Sequence, residues 1–253
     1  MAHLIRSAKT ASEWVHRDLV AYNINIVTQS KQQFFHTALL RQPDHPSLDG
    51  FMSTWLRQNA ADNETAKLLH YLELVDESGG HEAAIDNFLA KLLEKLEYDD
   101  DNRIIFVSHD FPFDICGETS SAEINICIVG ENQHTIMLVL DKKLKDPEPQ
   151  VIAAAIAAYA NDNEIRTMRH RPRLPTITFP AITMHGTYPI FYKITVTAQL
   201  CDAVAFGTYP PTTTHALRYI PDLPLPYNEG MHLLQNRIEI LTCLEAFKQF
   251  LQN

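Results

Sequence analysis

The sequence predicts a mixed fold of the α+β or α/β class, in the order helix, three or four strands, helix and strand. Three observations predict it. Apolar residues repeat every three or four positions over residues 81–96, which indicates an amphipathic helix. After residue 102 the period changes to two, which is typical of strands. Residues 150–161 are then rich in alanine, and the chain is again extended from residue 174.

The first eighty residues predict a helical region that packs on a core formed by residues 81–253. Thr10 and Glu13 have the spacing of a capping box, and the apolar stripe after them indicates a helix that ends near Asn23. A short strand is expected next. The expected elements of this region are that strand, Ile24–Val27, and helices over Ser30–Leu40, Ser47–Gln58 and Asn63–Val75.

The elements of the core follow from the same two periodicities and from the residues that break them. Glycines at 117 and 130 predict turns, and the prolines at 147 and 149 predict the first turn of a helix. Residues 209–227 contain five prolines, so a loop is expected there. The expected strands are Ile104–Ser108, Phe111–Cys116, Glu123–Val129, Thr135–Asp141, Thr176–Met184 and Pro189–Thr195, and the expected helices are His81–Leu96, Gln150–Asn161, 197–205 and Met231–Leu251.

Composition excludes several classes of protein. With 21 basic and 31 acidic residues the net charge is −10, so a nucleic-acid contact needs a local basic patch. The glycine-rich phosphate-binding patterns GxGxxG and GxxxxGK[ST] do not occur, and neither do GxSxG and HExxH. The four cysteines lack metal-ligand spacing and are expected to be free thiols. Neither a signal-peptide pattern nor an apolar run of about 18 residues occurs, so an intracellular protein without a membrane span is expected.

The most informative segment is the end of the strand predicted at Thr135–Asp141, where Asp141 is followed two residues later by Lys143. Side chains alternate along a strand, so these two residues point the same way, together with Val139. A carboxylate can bind a divalent cation, and an ammonium group beside it can support the water that attacks a phosphodiester. An acid-x-Lys triplet also occurs by chance at the ends of many strands, where both side chains are simply solvated.

The order of elements, together with Asp141-x-Lys143, resembles the PD-(D/E)XK core of restriction-endonuclease-like proteins. The resemblance implies an acid on the strand before Asp141, an acid on the first helix, and a Gln or Lys on the second helix. Gln150 fits the last of these. The position before Asp141 that aligns with the metal-binding aspartate is Asn125, with Glu123 on the same face as a substitute. Other acids that the resemblance leaves open are Glu118 and Asp114 near that strand, and Glu94 or Asp86 on the helix.

The chain is also similar, along most of its length, to a family of uncharacterised proteins that are numerous in mushroom-forming fungi. Members of that family resemble PD-(D/E)XK proteins and have an aspartate at the position of Asn125. This departure implies a weakened site. The segments that carry the similarity are 14–24, Ile115–Glu118, Asp146–Ala153, Gly186–Thr187 with Phe191–Ile194, and Gly230–Lys248.

These residues predict a divalent-metal-dependent phosphodiester hydrolase acting on nucleic acid, either weak or degenerate. Asp141, Glu123 and Asn125 are expected to bind Mg²⁺ or Mn²⁺, while Lys143 orients the attacking water and Gln150 assists. The alternatives are a binding or interaction module that has lost catalysis, and a cleft recruited for small-molecule chemistry. The oligomeric state stays open. The dense basic run after the alanine-rich helix is expected to contact phosphates near this site, and it comprises Arg166, Arg169, His170, Arg171 and Arg173.

Overall fold

The protein forms a seven-stranded mixed sheet with helices on both sides, as seen in a computed structural model that describes residues 5–77, 82–141 and 146–251. The predicted mixed class of helices and strands is confirmed. The strands are β1 Ile24–Thr28, β2 Arg103–Ile115, β3 Glu118–Gly130, β4 Thr135–Asp141, β5 Thr176–His185, β6 Tyr188–Thr197 and β7 Thr214–Tyr219. The helices are α1 His16–Ala21, α2 Lys31–Phe35, α3 Pro46–Ser53, α4 Asn63–Glu77, α5 Glu82–Lys95, α6 Glu148–Met168, α7 Ala198–Ala205 and α8 Leu234–Phe247.

The sheet has the strand order β1-β7-β6-β5-β4-β3-β2. Strands β2, β3 and β4 form an antiparallel meander, and β5 lies beside β4 in the parallel direction. A parallel neighbour needs a crossover connection, which α6 supplies. Strands β5, β6 and β7 are again antiparallel, while β1 pairs in parallel with β7.

Each face of the sheet has its own core. Helices α3, α4, α5 and α8 supply the buried residues of one core, which includes Phe88 and Val139, and we call it the α5 face. Helices α1, α6 and α7 supply the other core, which includes Ile152 and Leu140, and we call it the α6 face. Alternate residues of β4 therefore point into different cores, and Asp141 has the parity of Val139.

Helix α6 is long, and its first half is fully buried. Ten consecutive residues from Gln150 to Tyr159 are buried, five of them alanines, whose small side chains allow close approach to the sheet. At its far end, Tyr159 Oη and Asn163 Nδ2 donate hydrogen bonds to the carbonyl of Leu174, which holds the chain as it enters β5. The helix therefore leads from the carboxyl end of β4 to the start of β5, at the other end of the sheet.

Several predicted elements differ from the structure. The helix expected to end near Asn23 is a 3-10 turn, Ala11–Glu13, followed by the short helix α1. The two strands expected over 104–116 are one strand, β2, and the helix expected at Gln150–Asn161 runs on to Met168. The loop expected over 209–227 contains β7. Strand β4 begins and ends as predicted, and the four cysteines are free thiols. Within the described ranges, no helix is long and apolar enough to span a membrane.

Candidate functional site

Asp141 lies at the carboxyl end of β4 and is fully buried, with 0% of its surface exposed. Like Val139 and Met137 it points to the α5 face, as alternation along the strand predicts. The adjoining segment 142–145 lies outside the described residues, so the position of Lys143 is not part of the structure. The predicted pairing of Asp141 with Lys143 therefore stays a prediction.

Asn125 connects the backbone of Asp141 to the carboxylate of Asp86. Its Oδ1 accepts a hydrogen bond from the backbone N–H of Asp141 at 3.0 Å. Its Nδ2 donates to Asp86 Oδ2 at 3.2 Å. Asp86 is on α5 and is half-buried, so one amide connects a helix and two neighbouring strands. Of the acids that the sequence leaves open for the first helix, the structure brings Asp86 to this point.

An irregularity in β3 directs Asn125 to the α5 face. Ile124 is part of the core on the α6 face, whereas Ile126 is part of the core on the α5 face, although regular alternation would place both on one side. On the neighbouring strand, Ser108 has a left-handed φ of 59° between the pairs Val107–Ile126 and His109–Ile124. Such bulge-like irregularities re-aim side chains. Here the result is that Asn125 and Ile126 both face α5.

The other predicted site residues lie apart from this group. Glu123 is exposed, and Gln150 Nε2 donates to its backbone oxygen at 3.4 Å. Gln150 belongs to α6 and therefore approaches from the opposite face of the sheet. The exposed Glu94 pairs with Lys91, and the exposed Asp114 accepts from Thr119 Oγ1. Among the described residues, Glu123 does not complete a three-carboxylate set with Asp86 and Asp141.

The donor set at Asp86, Asn125 and Asp141 has the chemistry of a weak site for a hard cation. Mg²⁺ is usually held by one or two carboxylates together with waters, and this set contains two. The amide oxygen of Asn125 is the third candidate ligand, but it already accepts the N–H of Asp141. The chemistry of the Asp86 and Asp141 carboxylates therefore suits a divalent cation, with no charge contributed by Asn125.

The basic run does not lie near Asp141, contrary to the expectation from sequence. Arg166 is in the last turn of α6, and Arg169 follows the helix. A helix of 21 residues is about 30 Å long, so these arginines lie at the far end from Glu148 and Gln150. The sequence predicts a helix that ends at Asn161, about seven residues too early, and therefore predicts arginines close to the site.

A second polar cluster, missed by sequence analysis, lies at the start of α6. Glu148 is 3% exposed, and its Oε1 accepts from Arg218 Nη1 at 2.8 Å and from Tyr192 Oη at 3.0 Å. The pKa of Tyr192 is raised, mainly by burial and then by the Glu148 carboxylate. The position of Glu148 between two prolines predicted only a helix start, and Arg218 is 70 residues away along the chain.

His16 extends this cluster to the surface. Its Nε2 lies 2.6 Å from Asp146 Oδ2 and 3.9 Å from Glu148 Oε2. Within the described ranges, these three are the residues whose ligand atoms lie within 4.8 Å of one another and so have metal-ligand spacing. Asp146 Oδ1 also accepts the N–H of Glu148, which stabilises the first turn of α6.

No protein-family model matches this chain, and no curated protein matches it.

Proposed function

We propose that the protein is a degenerate PD-(D/E)XK-like phosphodiesterase with weak, divalent-metal-dependent activity on nucleic acid. The single observation that carries the proposal is the hydrogen-bonded group formed by Asp86, Asn125 and Asp141. The resemblance implies a metal site on the first helix and on two adjacent strands, and these three residues belong to elements of that kind. The order of α5, β2 to β4, α6 and β5, with β5 parallel to β4, supports the same proposal.

In this proposal each side chain has a distinct task. Asp86 and Asp141 hold the divalent cation, and Lys143 orients the attacking water and stabilises charge on the phosphate. The cation, when bound, polarises the phosphate oxygen and lowers the pKa of the water. Asn125 positions Asp141 by accepting its backbone N–H. The core around Met137 and Val139 excludes water from behind the strand end.

Asn125 also explains why we expect weak activity. Its Nδ2 donates a hydrogen bond to Asp86 Oδ2, so the amide N–H faces the carboxylate oxygen that a cation would bind. A metal must compete with this hydrogen bond. An aspartate at position 125 would remove the donor and add a third carboxylate, so the group would then favour a cation strongly.

The test is metal binding and cleavage by matched variants. We expect Asn125→Asp to bind Mn²⁺ at least about tenfold more tightly than the original protein in calorimetry, and to cleave single-stranded DNA or RNA faster. Asn25→Asp is the control, because Asn25 is exposed on β1, at the opposite edge of the sheet from β2, and the variant has the same charge change. Asp86→Asn and Asp141→Ala should abolish both binding and cleavage.

Each result decides the proposal provided that the variants fold, which circular dichroism and urea unfolding establish. Asp86 is half-buried and its replacement by Asn is nearly isosteric, so that variant tests the site even if Asp141→Ala unfolds. Cleavage that survives Asp86→Asn, or an Asn125→Asp protein that gives no heat with Mn²⁺ or Mg²⁺, would overturn the metal site.

A second candidate is a binding module of the same fold that has lost catalysis. The full burial of Asp141 and the engagement of both polar atoms of Asn125 favour it. The two candidates differ in the original protein. A weak phosphodiesterase should release product in Mn²⁺ and stop when Asp86 is changed, whereas a binding module should release none and should leave the metal unbound.

A further inference from the structure

A cavity of about 560 Å³ lies at the end of the sheet opposite Asp141. It is bounded by the start of β4, the start of β5 and the last turns of α6. Ligand sites for small molecules usually have volumes of about 300–1,000 Å³, with mostly apolar walls and a few polar groups. The apolar part of the wall consists of Ile136, Ile165, Leu174, Ile177, Pro180 and Phe250.

Arginines form the basic side of this cavity. Arg166, Arg169 and Arg171 line it, whereas Arg173 of the same basic run does not. Arg166 donates its Nε to the carbonyl of Pro172 and so also holds the turn after α6. In the part of the chain that the structure describes, the guanidinium groups of Arg169 and Arg171 make no hydrogen bond or ion pair. Both are exposed, and both are available to an anion.

A buried acceptor lies on the wall of the same cavity. Asp162 is 3% exposed, and its carboxylate accepts from the backbone N–H of Thr135 at 3.0 Å and from Thr135 Oγ1 at 3.0 Å. A carboxylate has about four acceptor positions. The two donors of Thr135 and the side chain of Asn161 take up three of them, which leaves room for one more donor. The cavity therefore combines cations at its mouth, apolar walls and an acceptor that a ligand can reach.

We propose that this cavity binds a nucleoside monophosphate, with the phosphate on Arg169 and Arg171 and the base against the apolar wall. An N–H of the base donates to Asp162. This site is separate from the metal site at Asp86 and Asp141, and the proposal does not depend on phosphodiesterase activity. It gives the arginines of the basic run a defined ligand, although the chain as a whole has a net charge of −10.

The features of the cavity favour a nucleoside monophosphate over two simpler anions, inorganic phosphate and a fatty acid. Inorganic phosphate would use the arginines but would leave the apolar wall uncovered. A fatty acid would cover the wall but would place an alkyl chain against the Asp162 carboxylate, and removing a charged group from water without supplying a new donor is costly. A nucleotide combines a doubly charged phosphate, a flat apolar base and N–H donors. Arginine binds phosphate through paired N–H groups.

The experiment is calorimetry of the full chain with adenosine 5′-monophosphate, in EDTA so that metal binding plays no part. We expect the affinity for adenosine 5′-monophosphate to fall about tenfold in Arg169→Gln and, separately, about tenfold in Arg171→Gln. Arg173→Gln is the matched control, since it removes the same charge from the same run but from a side chain outside the cavity. Its affinity should stay within about twofold of the original.

Adenosine, inorganic phosphate and decanoate complete the test. The proposal expects each to bind at least about tenfold more weakly than the monophosphate, because each lacks at least one of the three features. Phosphate that binds as tightly, or an Arg173→Gln variant that weakens binding as much as Arg169→Gln, would show a general basic surface and overturn the site. Decanoate that binds in place of the nucleotide would also overturn it. Because Arg169 and Arg171 are exposed, unfolding of these variants is not expected, and circular dichroism checks this.

Discussion

The buried carboxylate of Asp162 should make the stability of this protein depend on pH in a direction opposite to that of an ordinary ion pair. Burial raises the pKa of Asp162 from 3.8 to about 6, although its hydrogen bonds from Thr135 act in the lowering direction. The side chain is 3% exposed, so solvent screens this effect little. The desolvation of the charged form therefore outweighs the three contacts with Thr135.

The sign and size of the effect follow from proton linkage. Between pH 3.8 and about pH 6 the folded protein keeps a proton on Asp162 that the unfolded chain has released, so stability falls as pH rises. A rise of about 2 in the pKa of Asp162 corresponds to a decrease of about 3 kcal/mol in the free energy of unfolding. This decrease in stability should be absent below pH 3.8 and complete above about pH 6.

Urea unfolding of the original protein and of Asp162→Asn, measured in parallel from pH 4 to pH 7.5, isolates this group. Other titrating groups largely cancel in the difference between the two free energies of unfolding. The original protein should lose about 2 to 3 kcal/mol relative to the variant across this range. A difference that stays constant with pH, or that grows in favour of the original protein, would refute the reasoning, since the hydrogen bonds from Thr135 would then outweigh burial.

Two further substitutions test the packing. Arg237 is 1% exposed and donates hydrogen bonds to the carbonyls of Met231, Phe51, Thr54 and His232. Arg237→Met leaves these carbonyls without a donor and should lower the free energy of unfolding in urea by about 3 kcal/mol or more. A decrease below about 1 kcal/mol would contradict a stabilising role for these hydrogen bonds. Gly230 has a φ of +46°, and an added Cβ would lie 2.2 Å from Thr187 Oγ1. Gly230→Ala should therefore lower the midpoint of thermal unfolding clearly more than Gly117→Ala, which also has a positive φ but open space around it. Equal losses in the two alanine variants would mean that the space around residue 230 has no effect.

Much of the fold follows from periodicity, and the exceptions have physical causes. Strand β4 and helix α5 were predicted nearly to the residue because their apolar repeats are uninterrupted. The sequence predicts two strands in place of β2 because Ser108, His109 and Asp110 interrupt the apolar pattern. In the structure β3 pairs with both halves, so they form one strand. Strand β7 was missed because prolines surround a half-polar segment, and its place in the sheet comes from pairing with β1 and β6.

The candidate site was predictable only in part. Alternation along β4 was enough to give Asp141 its direction, and the order of elements was enough to bring Asn125 beside it. The choice of Asp86 over Glu94 depends on how α5 is rotated about its axis, which the sequence leaves open. The Glu148–Arg218 pair joins residues that are 70 positions apart, and no local pattern marks such a pair.

The pairing of β1 with β7 has a consequence for synthesis of the chain. Ile24 lies opposite Thr214, so β1 waits for a partner that is synthesised 190 residues later. Until then both β1 and the outer side of β6 present unpaired backbone groups, which are templates for association with other chains. Contacts so distant along the sequence also slow folding. Nascent chains that stop before residue 214 should therefore depend on chaperones more than the finished protein does.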